Sequence, residues 1–370
     1  MTQPVLTGVP VTIMRGGTSR GLFFRVDDLP GPGAERDRII CAAFGSGDPR
    51  QIDGLGGADI LTSKVAIVGP SADDRFDVDY TFGQVGIATT VIDYNTNCGN
   101  ISSAVGVFAV QEGWVPAREP ETVVRVNNTN TGDLLVIRVP VKDGAVEVDG
   151  DFAISGVPGT GAEVRLDFRD TAGSLTGQLL PTGSVSDVLD VPELGGPVTA
   201  SIVDVGKCAV FADAADLGLT GTERPDQIGP DELSRFAALQ RAAARAIGID
   251  PDLGLPRPVA VAAAQPFTDL SGAQHTADEV SLVARLVILP PPYLHKAYSG
   301  TGAVALGAAA RLPGTVPHRL NSAADSQIVR IGHPSGVFPA RVNVADGVLS
   351  EASFSRTARR IFDGYVKVSP

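Results

Sequence analysis

At 370 residues the chain is longer than one core comfortably organises, so two domains are expected. Hydrophobic residues at 43% against charged residues at 19% exclude a disordered chain, and a net charge of −12 with 5% aromatics excludes nucleic acid as a natural partner. Cys41, Cys98 and Cys208 are scattered with no CxxC pair, which argues against a disulfide framework or a structural zinc site and suits a reducing cytoplasm.

Met1 to Gly17 lacks a basic start followed by an apolar run, and no apolar stretch approaches a membrane span. A soluble, cytoplasmic protein without a membrane partner is expected. The 43 glycines and 27 prolines predict many turns and short strands. Val9 to Ile13 reads as a first strand, followed by the turn Arg15-Gly16-Gly17-Thr18-Ser19-Arg20-Gly21 and a second strand, Leu22 to Val26. Glu35 to Phe44 has helical spacing, Gly54 to Asp59 is a flexible turn, and Ser63 to Val68 is a strand containing Lys64. Strands are expected again at Phe76 to Phe82 and Ile87 to Tyr94. A helix apolar on nearly every side follows, Ile101 to Val110, and such a helix belongs inside a core. Val123 to Val126, Leu134 to Val141 and Ala145 to Val148 read as a strand meander.

The second half repeats this order. Thr199 to Phe211 is again strand, glycine turn and strand, Asp231 to Ile247 is an amphipathic helix, and Pro258 to Ala262 stands where Lys64 to Val68 stood. Ser281 to Leu289 then leads to a second small-residue apolar helix opening at Ser299-Gly300-Thr301, so that Ser299 occupies the place of Cys98. The offset is roughly 190–200 residues throughout, about one domain. Two similar domains are inferred, each a curved sheet around one buried helix, with a cleft between the two helix starts.

Cys98-Gly99-Asn100 lies at the start of the first buried helix, where unpartnered amides and the macrodipole favour a thiolate or a bound carboxylate. Cys98 is either a reactive thiol there or a buried structural cysteine. Lys64 is either an edge residue or a desolvated amine suited to removing a proton from carbon. Arg15 with Gly16-Gly17-Thr18-Ser19 is either an ordinary turn or a carboxylate clamp, and Gly332-His333-Pro334-Ser335-Gly336 carries the same ambiguity. Gly300-Thr301-Gly302-Ala303-Val304-Ala305 matches a dinucleotide fingerprint. It follows a proline-rich stretch late in the chain rather than an opening strand, so a nucleotide site is not expected. The four histidines have no H-x-x-x-H spacing, and no metal site is expected.

Taken together, Arg15 to Ser19, Gly56-Gly57-Ala58-Asp59 through Thr62-Ser63-Lys64, Asn97-Cys98-Gly99-Asn100, Pro181-Thr182-Gly183 and Gly332 to Gly336 resemble the PrpF family, in its order and over nearly the whole chain. That family includes 2-methylaconitate cis-trans isomerase and 4-oxalomesaconate tautomerase. The resemblance implies an α+β, diaminopimelate-epimerase-like fold of two pseudo-symmetric domains, each a β-barrel-like sheet around a central buried helix. The expected domains are residues 1–185, to which 355–370 return, and residues 186–354.

The resemblance further implies a cofactor-independent isomerase of small unsaturated tri- or dicarboxylates, acting through a dienolate in the interdomain cleft. Lys64 would remove the proton, and Cys98 would either return it or shape the anion site. Arg15, Thr18, Ser19, Ser63, Gly99, Asn100, Ser299, Gly300, Thr301, His333 and Ser335 would bind the substrate. Arg20 stands where lysine commonly follows Gly-Gly-Thr-Ser, which leaves the substrate open. The epimerases of this fold use two facing cysteines, and Ser299 in the second position disfavours that alternative. A non-catalytic carboxylate-binding homologue is the other alternative. No cofactor and no metal are expected. The partner is a small polycarboxylate, and a homo-oligomer is compatible with the sequence.

Overall fold

The computed structural model describes residues 7–94, 98–345 and 348–368. The chain divides into two compact units, Met1–Leu166 with Ser355–Pro370, and Asp167–Phe354. Asn97 of the predicted helix-start motif lies outside the described residues.

In the first unit, Thr7–Gly16 forms a hairpin with Ser19–Arg25 around Gly17-Thr18, with Gly16 opposite Ser19. Its other edge pairs antiparallel with Ala358–Val368. Ser19–Arg25 runs parallel to Lys64–Pro70, which runs antiparallel to Val78–Val85. Val78–Val85 is parallel to Glu121–Asn128, and that strand is antiparallel to Asp133–Lys142. Helix α1, Ala34–Phe44, covers the outer face, where Ile40 and Phe44 share a core with Leu22, Phe24, Val65 and Ile67. Helix α2, Gly99–Gln111, has every residue from Ile101 to Val110 buried, as its all-round apolar sequence requires.

The second unit uses the same pairing sequence. Gly196–Val203 is antiparallel to Ala209–Asp213, which is parallel to Arg257–Ala263. That strand is antiparallel to Leu282–Ile288, parallel in turn to Ile328–His333, which is antiparallel to Gly336–Ala345. Helix α3, Pro230–Ala246, packs its Phe236 and Leu239 against this sheet, α4, Gly300–Arg311, is the buried helix, and α5, Val316–Leu320, is short.

The repeat extends to single contacts. A Cβ on Gly16 would lie 2.1 Å from the Asn100 carbonyl oxygen, and one on Gly206 would lie 2.9 Å from that of Thr301. Midway along each helix, a Cβ on Gly106 would meet Ile137 at 2.6 Å, and one on Gly307 would meet Val342 at 2.7 Å. Each helix therefore touches its sheet with bare backbone at the same two places.

Two expectations need correction. The unit boundary lies at 166/167 rather than 185/186, because the Asp204 carboxylate holds the following segment to the second unit. It accepts the N–H groups of Leu175 (2.9 Å) and Thr176 (2.8 Å) and the Thr176 hydroxyl (2.9 Å). The strand expected over Ile87 to Tyr94 shrinks to Ile92–Asp93. The residues before it turn back, closed by the Gly86 N–H on the Val91 carbonyl at 2.8 Å.

His275 lies between two carboxylates of the second unit, Nε2 3.2 Å from Asp269 and Nδ1 2.9 Å from Glu279, with Phe267 stacked on its ring. Burial lowers its pKa, but the hydrogen bonds and charges of Glu279 and Asp269 outweigh burial and raise it overall. A raised folded value stabilises the folded state below the unfolded value of about 6.5, and this contribution is lost as the pH rises through the folded value. Urea unfolding of wild type and His275→Gln is therefore expected to diverge at about pH 6 and converge toward alkaline pH. A gap that does not change with pH would remove the imidazolium from this account.

Candidate active site

Strand alternation sets which face Lys64 takes. Val65 and Ile67 point to the α1 core, so Lys64, Ala66 and Val68 point to the opposite face, the one lined by α2. Phe23, of the α2-facing set on the neighbouring strand, packs on Phe108 of α2 at 5.5 Å. Lys64 is thus no edge residue: it is 7% exposed. Its Nζ donates to Gln84 Oε1 at 2.7 Å and lies 5.4 Å from the centre of the Phe82 ring. Gln84 Nε2 donates to the carbonyls of Ser63 (2.9 Å) and Ile60 (3.2 Å), which fixes the amide so that its oxygen meets the lysine. Gln84 escaped the sequence reading. Its period-two spacing with Tyr80 and Phe82 was the signal available.

Cys98 is the N-cap residue of α2, and its side chain does not cap the helix. Its Sγ lies 4.0 Å from the hydroxyl of buried Ser19. Tyr80 sits on the same face, and burial first, then the Cys98 charge, push its phenol well above the usual range. Asn100 bridges the glycine turn to the far end of the chain: Nδ2 donates to Thr18 Oγ1 at 3.0 Å, and Oδ1 accepts from Arg356 Nε at 2.8 Å. Arg356 was not anticipated from the sequence.

Other predicted residues have more structural surroundings. Arg15 Nη1 donates to the Gly17 carbonyl (3.0 Å) and to the carbonyl and hydroxyl of Thr357 (2.9 Å each), clipping the first hairpin to the returning chain. Burial, then the Arg359 charge, lowers its pKa. Ser63 donates to Gln51 Oε1 at 2.9 Å, and the same oxygen accepts from the Ala58 N–H at 2.8 Å, so Ser63 pins the turn before Lys64.

In the second unit, the Ser299 hydroxyl caps α4 by accepting from the Gly302 N–H at 3.1 Å. Gly300 packs directly on the Phe354 ring, and Thr301 packs over Gly206. His333 is buried between the rings of Tyr298 and Phe338, each 6.4 Å away, and its Nδ1 accepts from the Ser335 N–H at 3.1 Å. The Ser335 hydroxyl donates to the Lys296 carbonyl. The predicted residues of this unit thus gather around the α4 start. Fully buried Arg285, also unanticipated, donates to the Gly332 carbonyl at 3.2 Å and braces the strand end that carries His333. Burial pushes its pKa down to about 10.

Among the described residues, no group of three His, Cys, Asp or Glu side chains is placed to hold a metal ion, and no helix is long and apolar enough to cross a membrane. Two sheet-wrapped helices with one strand pairing sequence give a diaminopimelate-epimerase-like fold, and the similarity to named isomerases makes the chain an isomerase of that fold. The chain belongs to the PrpF family: residues 6–369 match the family described as PrpF protein.

The 3-methylitaconate isomerase of Eubacterium barkeri is 46% identical over 372 residues, covering 97% of each chain. The 4-oxalomesaconate tautomerase of Pseudomonas putida is 39% identical over 366 residues, covering 97% of this chain and 96% of its own. A crystal structure of methylitaconate-delta-isomerase matches with a TM-score of 0.87 at 46% identity, over 98% of this chain and 96% of that one.

Proposed function

We propose that the protein isomerises a small unsaturated di- or tricarboxylate of the 3-methylitaconate, 2-methylaconitate or 4-oxalomesaconate type, without a cofactor. The observation that carries this reading is Lys64: a buried amine on the α2-facing side of its strand, aimed by an amide that is itself fixed. Lys64 takes a proton from a carbon made acidic by the adjacent alkene and carboxyl or keto group. The electron pair delocalises into a dienolate, whose charge the α2 start stabilises at Gly99 and Asn100. Return of the proton to the far carbon shifts the double bond. Return to the same carbon after rotation exchanges cis for trans.

Cys98 supplies the returning proton in this scheme, and Ser19, Thr18 and Arg15 are proposed as the first unit's substrate ligands. Ser299, Gly300, Thr301, His333 and Ser335 are proposed as the second unit's substrate ligands. An epimerase reading would need a second proton-transfer group at Ser299, and that hydroxyl is engaged in capping α4. Proton NMR in D₂O, with the three acids in separate tubes, tests the proposal. Deuterium entering one acid while its double bond moves is the expected result and identifies the substrate. Failure of all three to exchange would sink the reaction proposed here and leave a carboxylate-binding protein.

A further inference from the structure

We propose that Arg356 is a positioning residue of the first-unit site, holding the α2 start through Asn100 and setting a positive charge beside Cys98, so that the Cys98 position receives a carboxylate. The identity of that carboxylate rests on the substrate class proposed above; the charge does not.

Arg356 is 8% exposed and ends the strand Val348–Arg356. Its Nε donates to Asn100 Oδ1 at 2.8 Å, and its Nη1 donates to the Ser355 carbonyl at 2.8 Å. Since a guanidinium can only donate, the oxygen of the Asn100 amide must face it, which turns the amide nitrogen to Thr18. One arginine therefore orients the asparagine that ties the glycine turn to the helix start. The turn is shaped around this pair: a Cβ on Gly17 would fall 2.2 Å from Asn100 Oδ1 and 2.8 Å from Arg356 Cδ. Gly17 also has a φ of +50°, which suits glycine independently. Burial lowers the Arg356 pKa to about 10 while attraction to the Cys98 charge opposes the fall. In a chain of net charge −12, a buried cation at this point opposes the overall sign that an incoming anion meets.

The test is alkylation of Cys98 in the whole protein with iodoacetate and iodoacetamide, read by peptide mass spectrometry and normalised to free cysteine. Both reagents attack the thiolate, so their rate ratio cancels changes in thiol ionisation and reports only the charge met by the reagent. A rearrangement of purely structural origin would alter both rates together. The wild-type ratio is expected to exceed that of free cysteine by about fivefold at low salt. It should fall to the free-cysteine value or below in Arg356→Gln and stay within about twofold of wild type in Arg356→Lys, which keeps the charge.

A wild-type ratio at or below that of free cysteine, or an unchanged ratio in folded Arg356→Gln, would overturn the proposal. Cys41 and Cys208 are buried, so their labelling reports a variant that has opened. Should the glutamine variant open, folded Arg356→Lys decides: a retained ratio supports the charge, and a collapsed one refutes it. No turnover is needed, so this result stands or falls separately from the exchange experiment.

Discussion

Lys64→Met is expected to lose turnover by about 10⁴-fold, the upper end of what a positioned acid–base group contributes. Its stability should fall by only about 1 kcal/mol. The methionine keeps most of the aliphatic stem and loses the ammonium 5.4 Å from the Phe82 ring centre, so the cost is that contact, the bond to Gln84 and an oxygen left without its donor. The two effects therefore separate. Urea unfolding measures the small one, and loss of solvent deuterium from the NMR assay measures the large one. A folded Lys64→Met protein with wild-type exchange would remove Lys64 as the base, whatever else in the site survived.

Gly16→Ala has the next largest expected effect, and it acts at a distance from any reacting atom. The added methyl would need to occupy a point 2.1 Å from the Asn100 carbonyl oxygen and 3.0 Å from its carbon, and backbone cannot swing aside as a flexible side chain can. Either the hairpin or the start of α2 must move by roughly an ångström, with an overpacking cost of about 1–3 kcal/mol. Cys98 and the amides of Gly99 and Asn100 travel with that helix start, and a displacement of this size costs on the order of 10²-fold in rate. Measured kcat/KM and the urea midpoint should drop together. A fall in stability with an untouched rate would mean that the position of the α2 start does not govern the chemistry.

Much of this was legible in the chain because it depends on local pattern. The all-apolar run after Cys98 could only be a buried helix, and Lys64 stood out as a charge in a strand otherwise built of small apolar residues. The repeated element order was readable for the same reason. What escaped depends on contacts between residues far apart in sequence. Gln84 matters through carbonyls at 60 and 63, and Arg356 reaches Asn100 across 256 positions. No periodicity encodes such pairings. Arg15 in its glycine-rich setting read equally as an ordinary turn or a carboxylate clamp, and only the return of Thr357 shows where one arm of its guanidinium is spent. The boundary at 166/167 was hidden because Asp204, which recruits the segment before it, lies about 30 residues downstream in the next strand region.

The pairing of Thr7–Gly16 with Ala358–Val368 also sets an order of assembly on the ribosome. Thr12 bonds to a residue 351 positions later, so the first strand emerges long before its partner exists. The second unit, continuous from 167 to 354, can fold as its own segment emerges, whereas the first must wait with one strand edge open. Arg356 and Thr357 arrive just ahead of the closing strand. During synthesis, then, the helix that carries Cys98 is present for most of the time without the groups that hold its start, and the site is completed only when that strand is added.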